Sequence, residues 1–67
     1  MVDNRFSQQL QRMRKRRGLS CKALGELCGL SKNTIALYER GERRPSLDAF
    51  LAIADFFGVT TDELLGR

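Results

Sequence analysis

Glycines and hydroxyl residues cut this chain at short intervals. Gly18, Gly29, Gly41 and Gly58 each close an amphipathic stretch, and Ser20, Ser31, Ser46 and Thr60 open the next. Serine and threonine oxygens accept hydrogen bonds from the free amides of a helix's first turn. Glycine follows a helix's last turn without steric cost. Punctuation in this order predicts five short helical segments and no strands.

The first segment runs from about Asn4 to Arg17, with Asp3 or Asn4 as its cap and Phe6, Leu10 and Met13 as one apolar stripe. Lys15, Arg16 and Arg17 lie in its last turn, where the macrodipole favours cations. The second, capped by Ser20, turns Ala23, Leu24, Leu27 and Cys28 inward and ends at Gly29. Gly25 falls inside it at a cost of about 1 kcal/mol relative to alanine, which makes sense where another backbone packs closely. The third runs from Ser31 to Arg40 before Gly41. Ile35 and Tyr38 face inward, and Asn33, Ala36, Leu37 and Arg40 fall on the opposite side. The fourth, capped by Ser46 and ended by Gly58, has Leu47, Phe50, Leu51, Ile53, Ala54 and Phe57 as its core side. Thr60-Thr61-Asp62-Glu63 is a capping-box pattern that starts a last helix through Leu64 and Leu65.

A chain of 67 residues is one domain, 1–67, with little stability to spare. The longest apolar run, Ala49 to Ala54, is too short for a membrane span, and Met1 to Arg5 contain no apolar core of a signal peptide. With no histidine and two cysteines, no metal or cofactor is expected. Cys21 and Cys28 on one helix would lie about 10 Å apart along its axis, too far for a disulfide, and free thiols suit the cytoplasm. No paired carboxylates, phosphate loop or dinucleotide fingerprint argue for an enzyme. The apolar faces are used up by the core, so no small-molecule ligand is expected.

Charge is unevenly spread. Residues 1–44 hold eleven basic and four acidic side chains, whereas residues 45–67 hold one and four. A polyanion on the basic side follows. Within that part, two serine-capped helices joined by Gly29-Leu30-Ser31 have the layout of a helix-turn-helix over residues 21–40, whose second helix enters the major groove of DNA.

The string GLSCKALGELCGLSKNTIALYERGERRPSLDAFLAIADFFGV resembles the Cro/phage-repressor, or XRE-type, family of helix-turn-helix domains, over about Phe6 to Leu65. SKNTIALYERGERRPS and FFGVTTDELL are its most specific segments. The resemblance implies an all-α, compact, lambda-repressor-like bundle of five helices that binds double-stranded operator DNA as a homodimer and regulates transcription, as a repressor, in a bacterial or phage setting. By position it implies base contacts from Lys32, Asn33 and Leu37. It implies phosphate contacts from Ser20, Cys21, Ser31, Arg40, Arg43 and Arg44, and a structural ion pair between Arg14 and Glu39.

The chemistry of these residues agrees with most of the roles. Lysine can donate to guanine and asparagine can pair bidentately with adenine. Serine hydroxyls and helix-start amides suit phosphate. Arg12, Lys15, Arg16 and Arg17 read as solvated charge. Two positions depart from the family pattern: Cys21 stands where a glutamine usually reaches phosphate, and Leu37 where a polar residue is usual. Leu37 has two readings, a contact to a thymine methyl or a protein-binding surface. The second belongs to an alternative function, a protein-interaction module on the same fold. Phe56, Val59, Leu64 and Leu65 are either a dimer surface or the completion of the core.

Overall fold

The computed structural model describes residues 5–66, and the capping role expected of Asp3 or Asn4 lies outside them. Among the described residues there are five helices and no strand: α1 (Arg5–Arg16), α2 (Cys21–Cys28), α3 (Lys32–Glu39), α4 (Leu47–Phe57) and α5 (Thr61–Leu64). Ser20, Ser31, Ser46 and Thr60 each accept from the amide three residues on, and Thr60 and Glu63 complete the capping box.

One residue from each helix is fully buried: Leu10, Leu24, Ile35, Ile53 and Leu64. Each side chain removed from water contributes about 1.5–3 kcal/mol, so every helix is tied to the same centre. Around it Phe6 packs against Tyr38 and Phe50, with ring centroids 6.0 and 5.6 Å apart. α2 packs mainly on α3, α1 on α3, and α4 on α2 and α5, while α5 returns to α1. No described helix is long and apolar enough to cross a membrane. Both cysteines are free, and burial pushes the Cys28 thiol up.

The core is narrower than the apolar pattern implies. Leu27, Leu47 and Leu51, expected inside, are 58%, 71% and 41% exposed. A chain this short has no further layer to cover a wide apolar face, so α4 buries one side only. Of the four residues with two readings, a dimer surface or the completion of the core, Leu64 is fully buried and belongs to the core. Phe56, Val59 and Leu65 are half-buried and pack against the same core. Arg17, expected in solvent, is exposed and in addition lies over the rings of Phe56 and Phe57 at 5.4 and 5.2 Å and donates to the Phe57 carbonyl at 3.2 Å.

Candidate nucleic-acid interface

The turn between α2 and α3 depends on Gly25. A β-carbon there would stand 2.5 Å from the Leu30 carbonyl oxygen and 3.1 Å from the Ser31 carbonyl carbon. The missing side chain lets the turn fold onto α2, where the Leu30 amide donates to the Gly25 carbonyl at 2.6 Å. Gly29 has a φ of 73° and reverses the chain. α3 therefore leaves the turn at a set angle to α2.

The other end of α3 is held by α1. Ser7, buried one residue beyond Phe6, donates from Oγ to the Tyr38 carbonyl at 2.6 Å. Arg14 grips Glu39 with two bonds, Nε to Oε2 at 2.6 Å and a terminal nitrogen to Oε1 at 3.0 Å. Its remaining nitrogen donates to the Leu19 carbonyl at 2.7 Å. The two side chains are 13% and 6% exposed. The bond to Glu39 raises the Arg14 pKa further, against the opposing cost of burial. Ser7 carried no sequence signal beyond its place beside an apolar stripe.

Held in this way, α3 buries Ile35 and Tyr38 and leaves Lys32 and Asn33 exposed on its first turn, with Ala36 and Leu37 half-buried. Ser31 caps α3, and its hydroxyl also shares a 2.8 Å bond with Thr34. Ser20 uses its oxygen on the Ala23 amide at 3.0 Å, which leaves the hydroxyl proton to donate outward. Cys21 is half-buried with its Sγ 4.0 Å from Glu39, so its side chain meets the ion pair. Its backbone amide is one of the first-turn N–H groups that lack an intrahelical acceptor. Arg40, Arg43 and Arg44 are exposed beyond the C-terminus of α3. Arg40 bonds Glu42, Nε to Oε2, at 2.5 Å, a partner that the sequence did not single out.

Chemically this surface offers uncapped amides, hydroxyl and ammonium donors, a carboxamide and guanidinium groups, set on and around one exposed helix. Among the described residues, no group of three or more metal-ligating side chains comes together.

A family model described as a helix-turn-helix domain matches residues 5–65. The HTH-type transcriptional regulator AnsR of Bacillus subtilis is 48% identical over 59 residues, which are 88% of this chain and 51% of that protein. The phage CTXphi transcriptional repressor RstR of Vibrio cholerae is 33% identical over 60 residues, 90% of this chain and 54% of RstR. This chain thus spans about half the length of these curated relatives. The crystal structure of the restriction-modification controller protein C.AhdI from Aeromonas hydrophila superposes with a TM-score of 0.84 at 34% identity. That match covers 92% of this chain and 94% of C.AhdI.

Proposed function

The chain belongs to the helix-turn-helix domain family whose model spans residues 5–65, and from that membership we propose that it binds double-stranded DNA sequence-specifically and regulates transcription. The observation that carries the proposal is the first turn of α3. Lys32 and Asn33 stand in solvent while the same helix is fastened by its opposite side through Ile35, Tyr38 and Glu39. A helix so anchored can enter the major groove without disturbing the core. Lys32, Asn33 and Leu37 read base edges. Ser20, Ser31, Arg40, Arg43, Arg44 and the amide of Cys21 hold the flanking phosphates. The domain acts by binding and not by catalysis, in the cytoplasm, as a repressor that occludes its operator. Among its relatives RstR is a repressor and BcrR an activator, so the sign rests on the reporter assay below.

One recognition helix reads too few base pairs to select a genomic site, and a homodimer on a palindromic operator doubles the reading. Leu47 and Leu51, one turn apart on the exposed side of α4, are the apolar pair that two copies would share, with Asp48 and Asp55 exposed beside them. In an antiparallel two-fold pairing Leu47 of one copy meets Leu51 of the other. Selection of bound duplexes from a random pool is the test. Two inverted half-sites about one helical turn apart support sequence-specific binding by a homodimer. A single half-site removes the homodimer, and no enrichment removes sequence-specific binding. Leu47→Glu should shift sedimentation toward the monomer while the melting temperature stays within a few degrees. In a reporter fused to the selected site, loss of expression fits repression and a gain reverses the sign.

A further inference from the structure

Three arginines follow the C-terminal part of α3, and they are not in the same state. Arg43 and Arg44 are exposed, with no acidic group bound to either among the described residues, whereas Arg40 is engaged by Glu42. Glu42 is the only acidic residue between Arg40 and Asp48. The backbone brings it there. Gly41, with a φ of 72°, turns the chain back over the end of α3. The Gly41 amide then donates to the Tyr38 carbonyl at 3.1 Å and the Glu42 amide to the Leu37 carbonyl at 3.0 Å. These two bonds pin the loop to the last turn of the helix and set the carboxylate beside the Arg40 guanidinium. The two side chains are 63% and 56% exposed, so the pair lies at the surface where a phosphate would arrive.

We propose that Glu42 is an internal stand-in for phosphate that occupies Arg40 in the free protein and weakens its contact with the DNA backbone. The inference rests on the DNA-binding reading given above. A phosphate oxygen that takes Arg40 must displace a carboxylate of the same sign. The displaced Glu42 cannot go far, because its amide is bonded to α3, and it stays within the screening length of about 8 Å at physiological ionic strength. Arg40 then exchanges one anion for another, and little net counterion release comes from this contact. Arg43 and Arg44 are not restrained in this way and supply the loop's salt-dependent attraction. Glu42 thus positions Arg40 and lowers the affinity of the loop for any duplex, which shortens its stay on sequences that α3 does not read.

Binding of the whole chain to a random-sequence duplex, titrated with salt, tests this. Glu42→Gln should bind more tightly at low salt by up to about fivefold, the range of an exposed ion pair. Its slope of log K against log salt should steepen by about 0.9, the value for one more phosphate neutralised. In an Arg40→Gln background the same change should produce a much smaller gain and no steeper slope. Equal slopes for wild type and Glu42→Gln would overturn the proposal. So would an undiminished gain in the Arg40→Gln background, which would make Glu42 a general negative charge acting without Arg40. A wild-type chain that binds no duplex at any salt is a separate outcome, and it would overturn the DNA-binding reading together with this one.

Discussion

Replacing Gly25 by alanine sets two physical effects against each other. Helix propensity alone favours the change by about 1 kcal/mol, because glycine inside α2 leaves more backbone freedom to lose on folding. Packing opposes it. The new methyl would lie 2.5 Å from the Leu30 carbonyl oxygen, well inside the ordinary contact range of 3.4–4 Å, and the obstacle is backbone that cannot rotate aside. Separating the two requires the turn to move by roughly 1 Å, at a cost of about 3 kcal/mol for overpacking of rigid neighbours. It also loosens the 2.6 Å bond from the Leu30 amide to the Gly25 carbonyl, worth about 1 kcal/mol. The net expectation is a loss of about 3 kcal/mol, which for a domain of this size lowers the melting temperature by about 12–24 °C. Urea unfolding followed by circular dichroism measures it, with the wild type as reference. A variant as stable as the wild type, or more so, would show that propensity wins. Gly25 would then not be what fixes the angle between α2 and α3.

Asn33→Ala should leave stability unchanged and relax base preference at one position of the half-site by about 1–3 kcal/mol of discrimination, read from duplex selection. Arg43→Ala should weaken binding to all sequences alike and flatten the salt slope by about 0.9; a loss confined to particular sequences would show that Arg43 reads bases. Arg14→Met should cost about 2–4 kcal/mol in urea unfolding, because Glu39 is left nearly buried without its cation. Arg14→Met combined with Glu39→Leu should recover most of that loss, since no charge is then stranded.

The starts of α2 to α5 were legible because each rests on a local rule. A serine or threonine side chain bonds an amide three residues on, and both partners lie within a few letters of each other. Gly25 was legible for a related reason, since a glycine inside an amphipathic helix costs stability unless something needs its space. The errors came where the answer depends on how many layers the fold has. Leu47 and Leu51 fit the apolar wheel of α4, but a wheel does not say how wide a face the rest of the chain can cover. Leu64 keeps two readings in the sequence because α5 is too short to reveal its own inner side, and its burial decides for the core. Arg17 is a surface charge, as its type implies, but its contacts with Phe56 and Phe57 are not legible because those residues lie about forty positions away on another helix. The Arg40–Glu42 pair was hidden because residues two apart do not meet on a helix. They meet here because the chain leaves the helix between them. On α3, the inner side followed from residue type at helical spacing, and the structure buries Ile35 and Tyr38 and exposes Asn33, while it half-buries Ala36 and Leu37 of the expected outer side.

The fastening of α3 at both ends has a thermodynamic consequence. Ser7 and Arg14 hold its last turn and the turn beside Gly25 holds its first, so the helix is already ordered before any partner arrives. Segments that fold as they bind show a large negative heat-capacity change, on the scale of burying about 1,000–3,000 Å² of new surface. Calorimetry of this domain with its target should instead record only the heat capacity of two preformed surfaces losing water.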